Sequence, residues 1–207
     1  LIFTKNTTEA LNLGIKGLLR SGDHVITTSM EHNSVLRPLK SLEKFGITHS
    51  VLRADRNGLL TAADIEKTIR PNTKLIIVTA ASNVTGGKMP IAEIGELAKR
   101  KGIFFMVDGA QAAGAMDIKL KRDGIDFLAV PGHKGLYGPS GTGMLLMQRL
   151  EMLDTMMEGG TGSNSFEYSQ PKEYPDRFEA GTINTTGIIG LGAGIDFIMK
   201  TGVSAIH

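Results

Sequence analysis

Residues 75–108 of the chain are LIIVTAASNVTGGKMPIAEIGELAKRKGIFFMVD. The runs 75–78 and 103–107 are entirely apolar, which is typical of strands that are buried on both faces of a parallel sheet. Between them, Pro90 occupies the expected first position of an amphipathic helix that ends near Gly102. A strand, a helix of this length and a second strand form a βαβ crossover, so this stretch predicts two parallel strands in one sheet.

The same alternation extends in both directions along the chain. Further strands are predicted at residues 1–4, 24–28, 47–52, 126–130 and 143–147, and further helices at residues 34–45, 61–69 and 186–199. Thr61 and Asp64 form a predicted capping box. Residues 158–181 are rich in Gly and poor in aliphatic residues, and they are predicted to form a long loop. The pattern as a whole predicts an α/β fold with a mainly parallel sheet.

The composition excludes several classes of site and partner. The 207 residues include no Cys, which excludes disulfides, cysteine-based metal sites and a cysteine nucleophile within them, and we expect no metal. A net charge of +2 gives no broad attraction to nucleic acid or to an anionic membrane. The sequence shows no signal peptide and no apolar run of the ~18–20 residues that span a membrane. We therefore expect an internal piece of a longer cytoplasmic protein, beginning at Leu1 inside a strand.

Polar side chains follow five of the predicted strands at the same position, just after the apolar run. In chain order they are Thr4, Thr7, Thr8 and Glu9; Glu31 and His32; Ser82 and Asn83; Asp108 and Gln111; and His133 and Lys134. Each group alone has an ordinary structural explanation. In open α/β sheets, however, ligands bind outside the carboxyl ends of the strands, so the five groups together predict one site at one edge of the sheet.

Several of these residues have a chemical role as an alternative to a structural one. Asp108 could be a turn residue, or a carboxylate that faces a cationic group of a ligand, because a buried charge needs a partner. Lys134 could be a solvated loop residue or an amine nucleophile. His32 could be a turn residue or a ring that stacks on a planar ligand. Thr7 and Thr8 are good helix caps, but a helix N-terminus also binds anions.

Other candidates fit known sites less well. The glycine-rich residues 138–143 lack the Gly-Lys-Ser/Thr sequence of a phosphate-binding loop. The glycines within residues 187–194 have no strand before them, so we predict close helix packing there instead of a dinucleotide site. His24, His49 and His207 have no predicted partners.

An anion-binding helix start, a buried carboxylate, a stacking imidazole and an amine nucleophile form one coherent set. A phosphorylated pyridine aldehyde requires all four. The lysine would form a Schiff base with the aldehyde, and the carboxylate would keep the ring nitrogen protonated, so that the ring accepts electrons from a substrate carbanion.

Six stretches of the chain resemble the class V aminotransferase family of fold-type I pyridoxal 5'-phosphate enzymes, and within it the cysteine desulfurase and selenocysteine lyase branch. They are residues 7–12 (TTEALN), 30–32 (MEH), 82–86 (SNVTG), 107–111 (VDGAQ), 132–139 (GHKGLYGP) and 177–182 (RFEAGT), in the family's order. The resemblance implies a three-layer αβα fold with a mainly parallel, mixed sheet. It also implies that residues 1–207 are the cofactor-binding large domain, without the N-terminal segment and the C-terminal small domain of the family.

The resemblance implies a role for each matching residue at the cofactor ring. Lys134 forms the Schiff base and carries protons, and Asp108 pairs with the ring nitrogen. Gln111 hydrogen-bonds the ring hydroxyl, His32 stacks on the ring face, and Asn83 lies near the substrate carboxylate and the ring hydroxyl. Lys134 and His32 are therefore the expected catalytic residues.

The resemblance also implies a set of phosphate ligands. Thr7, Thr8 and His133 hold the phosphate at the helix start. Thr182 resembles a residue that reaches the phosphate of the neighbouring subunit, which implies a homodimer with shared sites. Related desulfurases often carry Ser where this chain has Pro131, and proline offers neither a hydroxyl nor an N–H for that contact.

The first function implied is removal of sulfur from cysteine, or of selenium from selenocysteine, to leave alanine, with transfer of the sulfur to an acceptor protein. A class V aminotransferase or a related lyase with the same cofactor geometry is the second alternative, and a non-catalytic scaffold or partner-binding module is the third. The family keeps its substrate-binding arginine and its sulfur-accepting cysteine in the C-terminal part. We therefore expect this chain alone to have weak activity or none.

Overall fold

The computed structural model describes residues 1–56, 58 and 60–206, and these form a seven-stranded sheet with helices. The strands are β1 (Ile2–Thr4), β2 (His24–Thr28), β3 (Thr48–Leu52), β4 (Thr73–Thr79), β5 (Phe104–Asp108), β6 (Phe127–Pro131) and β7 (Gly143–Met147). Their order across the sheet is β1-β7-β6-β5-β4-β2-β3. Each strand lies within two residues of the predicted bounds, so the predicted strands are confirmed.

Five neighbouring strands, β3, β2, β4, β5 and β6, run parallel, as βαβ crossovers require. Strand β7 is antiparallel to both β6 and β1. The sheet is therefore mainly parallel and mixed, which confirms the predicted fold class. Because Thr79 is the register partner of Asp108, the carboxyl ends of β4 and β5 lie side by side.

The helices are α1 (Thr7–Leu18), α2 (Asn33–Leu42), α3 (Ala62–Glu66), α4 (Ile91–Lys101), α5 (Thr185–Thr201) and α6 (Val203–Ile206), with 3₁₀ turns at Glu43–Phe45 and Leu150–Met152. The predicted capping box before α3 is confirmed, because Thr61 and Asp64 each bond the other's backbone N–H. The predicted cap of α1 is wrong, because Asn6 accepts the capping hydrogen bond and the two threonines that follow it lie inside the helix. Pro90 precedes α4 and is not its first residue.

Helices cover both faces of the sheet. Side chains of α1 and α2 pack on one face, and side chains of α3, α4 and α5 pack on the other. Along β4, Leu75 and Ile77 belong to the first core and Ile76 and Val78 to the second, because successive side chains of a strand point to opposite faces. The three-layer αβα arrangement is therefore confirmed.

The long loop and the glycines of α5 agree in most respects with the predictions made from the sequence. Residues 158–181 contain no helix or strand, as predicted. A Cβ at Gly194 of α5 would clash with the Leu136 carbonyl oxygen, so close packing is confirmed there, whereas Gly192 faces open space. Over the described part of the chain, no helix combines the length and the hydropathy needed to cross a membrane.

Candidate active site

A cavity of about 200 Å³ lies at the carboxyl ends of the parallel strands. Its lining includes eight of the nine predicted site residues, namely Thr7, Thr8, His32, Asn83, Asp108, Gln111, His133 and Lys134. They lie together because β1, β2, β4, β5 and β6, the strands that precede them, all run in the same direction. The ninth residue, Thr182, lies apart from them in a second cavity of about 230 Å³. What each of the nine does toward a cofactor stays a prediction.

The start of α1 and the turn before α2 are connected by hydrogen bonds. Thr8 Oγ1 lies 2.8 Å from Ser34 Oγ, which in turn lies 2.8 Å from His32 Nδ1. Asn6, Ser34 and Thr79 also line the cavity, and sequence reasoning missed all three. Asn6 could have been found, because Asn is among the preferred N-cap residues. Ser34 and Thr79 carry no such signal.

The hydrogen bonds of His32 determine where its proton lies. The Ser34 N–H donates to His32 Nδ1 at 3.1 Å, and a backbone N–H can only donate. A neutral His32 ring therefore carries its proton on Nε2. The same hydrogen bond makes His32 the N-cap of α2, so the structural and the chemical alternatives for this residue are compatible.

Asp108 is the last residue of β5, and its exposure is only 2%. The Ala110 N–H donates to Asp108 Oδ1 at 2.9 Å. Burial raises the pKa of Asp108, and the Ala110 hydrogen bond and the charge of Lys134 act against that rise. The carboxyl is thus buried, borders the cavity and is acted on by the charge of Lys134, so a cationic ligand atom could pair with it there.

Lys134 lies in a tight loop after β6. The loop is closed by hydrogen bonds from the Gly138 N–H to the Gly132 carbonyl at 2.8 Å and from the Tyr137 N–H to the Lys134 carbonyl at 3.0 Å. A Cβ at Gly114, whose φ is +78°, would clash with the carbonyl of the residue after the lysine. The Lys134 side chain itself is exposed, so the backbone is constrained while the amine remains accessible.

The prediction that His24 has no partner is wrong. Its ring is fully buried, and Nδ1 and Nε2 each lie 2.9 Å from a hydroxyl, that of Thr73 and that of Ser50. Both hydroxyls belong to neighbouring strands, so their proximity depends on sheet order and has no local sequence signal. His49 Nδ1 lies 3.6 Å from the Glu43 carboxylate. The prediction for His207 lies outside the described residues.

Known proteins resemble this chain in sequence and in structure. The family model described as Aminotransferase class-V matches residues 1–207. A probable cysteine desulfurase of Methanothermobacter thermautotrophicus is 39% identical over 212 residues, which cover 100% of this chain and 53% of that protein. The apo structure of a cysteine desulfurase from Thermococcus onnurineus NA1 aligns with a TM-score of 0.89 and 39% identity, over 98% of this chain and 52% of that one. The cysteine desulfurase CsdA of Escherichia coli aligns with a TM-score of 0.90 and 30% identity, over 99% and 53% respectively.

The chain spans about half the length of the curated relatives it matches. Within that half, the similarity runs through all the strands and through every segment that lines the cavity, since the family model covers the chain from end to end. The chain belongs to the class-V aminotransferase family.

Proposed function

We propose that this chain is the pyridoxal phosphate-binding large domain of a cysteine desulfurase. The observation that carries the proposal is the single cavity that brings together Lys134, Asp108, His32 and the start of α1. Relatives and structural neighbours named as cysteine desulfurases support the same activity. Because the chain covers about half of those relatives, the activity is proposed for the protein that carries these residues together with a C-terminal part.

The residues of the cavity fit pyridoxal phosphate, which has an anionic phosphate, a basic ring nitrogen and an aldehyde. The N-terminus of α1 offers backbone N–H donors and the positive end of its dipole to the phosphate, with Thr7, Thr8 and His133 beside it. Asp108 offers a buried carboxylate to the ring nitrogen, and Lys134 offers an accessible primary amine to the aldehyde.

Bound pyridoxal phosphate would supply an electron-accepting ring that stabilises negative charge on the substrate carbon next to the amino group. The Asp108 carboxylate holds a proton on the ring nitrogen, and burial strengthens that attraction because the surroundings have a low dielectric constant. Lys134 Nζ moves the proton of the substrate carbon. The His32 ring would stack on the cofactor ring and Gln111 would hydrogen-bond the ring hydroxyl. Asn83 would lie near the substrate carboxylate and the ring hydroxyl.

We also propose that the protein is a homodimer in which Thr182 of each subunit contacts the phosphate bound by the other. The exposure of Thr182, and its position outside the cavity of its own chain, support a contact made between subunits. An acceptor protein for sulfur and a cytoplasmic location are proposed from the family resemblance alone.

Borohydride reduction tests the cofactor assignment. Protein incubated with pyridoxal phosphate, reduced and digested should carry a pyridoxyl group on the peptide that contains Lys134. Lys134→Ala should remove the adduct, whereas Lys121→Ala, which removes an exposed lysine near the amino ends of the strands, should keep it. Folded protein with excess cofactor and no adduct at Lys134 would disprove the site assignment.

Product analysis distinguishes the proposed activity from the alternatives. With the C-terminal part present, we expect alanine from cysteine without any keto acid, and sulfur recovered as persulfide or sulfide. Dependence on a keto acid as amino acceptor would instead establish an aminotransferase. The 207-residue chain by itself should show weak turnover or none, and robust turnover would contradict the need for the C-terminal part.

A further inference from the structure

A second buried carboxyl, that of Glu31, belongs to the same edge of the sheet. Glu31 follows β2, directly precedes His32, and is 8% exposed. The Thr28 hydroxyl donates to Glu31 Oε1 at 2.6 Å, and the Thr79 N–H donates to the same oxygen at 3.0 Å. The carboxyl thus connects the end of β2, the end of β4 and the turn that carries His32.

The hydrogen bonds of Glu31 are those of an uncharged acid. Both donors bond Oε1, and Oε2 has no hydrogen-bond partner among the residues that the structure describes. A carboxylate would leave a charged oxygen buried without a donor, which costs far more than leaving a hydroxyl there. The pKa of Glu31 is raised to about 8, chiefly by burial and also by the charge of Asp108, and the two hydrogen bonds only partly offset this rise.

The surroundings of Glu31 and Asp108 differ in the charges they present. Thr79, which bonds Glu31, is the register partner of Asp108 on β5. The charge of Lys134 acts on Asp108 and favours its ionised form. The charge that acts on Glu31 is that of Asp108 itself, and the donors from β2 and β4 are uncharged. Two neighbouring buried carboxyls do not readily ionise together, so the negative charge belongs to Asp108 and the proton to Glu31.

We infer that Glu31 is a positioning residue of the site, an uncharged acid that holds the His32 turn against the end of β4 and leaves the negative charge to Asp108. The relation to a cofactor rests on the proposed function. An amide offers the same acceptor oxygen without a charge, so Glu31→Gln should preserve the arrangement and Glu31→Ala should lose it. Glu167→Gln, which alters an exposed loop residue, is the matched control.

The first measurements need no cofactor. Since the pKa of Glu31 is about 8 in the folded state and near 4.5 in the unfolded state, ionisation destabilises the fold as the pH rises from about 4.5 to about 8. Urea unfolding should therefore show Glu31→Gln gaining stability over the wild type across that interval, while Glu167→Gln follows the wild type. Hydrogen exchange should show the Thr79 amide protected in the wild type and in Glu31→Gln, and at least tenfold less protected in Glu31→Ala. A wild-type pH profile in Glu31→Gln, or an equally protected Thr79 amide in Glu31→Ala, would overturn the inference.

The second measurement is the affinity of the full-length protein for pyridoxal phosphate, which an absorbance titration determines. We expect Glu31→Gln to bind within threefold of the wild type, and Glu31→Ala to bind at least tenfold more weakly. Equal loss in both variants would show that the charge of Glu31 is needed and would overturn the inference. If the wild type binds no cofactor, the proposed function fails, and the pH and exchange measurements still decide the state and role of Glu31.

Discussion

Selected buried polar groups at the two edges of the sheet differ in their hydrogen bonds. At the amino ends of the strands, both ring nitrogens of His24 are bonded to hydroxyls, and half-buried Asp126 accepts the Phe105 N–H at 2.9 Å. At the carboxyl ends, Asp108 accepts one backbone N–H beside the cavity, and Glu31 Oε2 has no partner within the described residues.

Buried polar groups are costly unless they are hydrogen-bonded. At the amino edge neighbouring strands supply the hydrogen bonds of His24 and Asp126, so these two groups have a structural role. At the carboxyl edge the cost of burying Asp108 is only partly compensated by its one hydrogen bond, and a cationic ligand atom beside Asp108 would compensate it further. The difference is the reason why the carboxyl edge, and not the amino edge, is the candidate binding site.

The strongest test of this comparison replaces one aspartate at each edge of the sheet by asparagine. Asp108→Asn and Asp126→Asn both keep an oxygen that accepts a backbone N–H, and burial raises the pKa of both carboxyls. Asp108→Asn should weaken pyridoxal phosphate binding more than ~100-fold, on the scale of about 3–5 kcal/mol for breaking a buried charge pair. Asp126→Asn should change it less than threefold.

Absorbance titration measures the two affinities, and urea unfolding provides the control. Because the charged forms are penalised by burial, both variants should be at least as stable as the wild type at neutral pH. Equal loss of affinity in the two variants would show that the two edges do not differ in the way described.

A pair of glycines gives the next largest effect. A Cβ at Gly114 would clash with the Gly135 carbonyl beside Lys134, and a Cβ at Gly95 would clash with the Asp123 carbonyl, which precedes β6. Each alanine variant should lose about 1–3 kcal/mol of unfolding free energy through overpacking. Gly114→Ala should lose a further ~1–2 kcal/mol because its φ is +78°.

Cofactor affinity then separates the two glycine variants. Under conditions where both are folded by circular dichroism, Gly114→Ala should bind pyridoxal phosphate at least tenfold more weakly, because the lysine loop must move. Gly95→Ala should bind like the wild type. Normal binding by Gly114→Ala would show that the loop adapts without disturbing Lys134.

The smallest effect concerns pH and His24. Burial lowers the pKa of His24 to about 4, so below pH ~6.5 the unfolded chain binds a proton that the folded chain does not. The stability that His24 contributes is therefore present above pH ~6.5 and is lost as the pH falls toward 4. His24→Asn should cost about 1–2 kcal/mol at pH 7, from its two hydrogen bonds.

Urea unfolding at several pH values measures this effect. The stabilities of the wild type and of His24→Asn should converge as the pH falls. His133→Asn, which changes an exposed histidine at the carboxyl edge, should stay within about 0.5 kcal/mol of the wild type. If the difference in unfolding free energy between His24→Asn and the wild type stayed constant with pH, His24 would not be the origin of the pH dependence.

Much of the fold could be predicted because its signals are local. Apolar runs such as 75–78 and 103–107 determine strand positions, and Thr61 with Asp64 determines a helix start. The cap of α1 was misassigned because three adjacent residues, Asn6, Thr7 and Thr8, are all good caps, and only the backbone geometry distinguishes them.

The candidate site was predictable to the extent that the direction of the strands is predictable. Parallel strands bring their carboxyl ends to one edge, so Asp108 and Lys134 could be expected in one cavity from their positions alone. The contact between Thr8 and Ser34 and the partners of His24 could not be predicted, because they join residues of different helices or strands.

The sequence by itself determined the succession of strands and helices along the chain, the family resemblance and the candidate site residues, because periodicity and short motifs are local properties of the chain. Only the tertiary structure decided that Thr182 lies apart from the other candidates, and that Glu31 is bonded by Thr79, 48 residues away. The physical reason is that the state of a buried polar group depends on the register of neighbouring strands. That register is a property of the packed sheet and of no single segment.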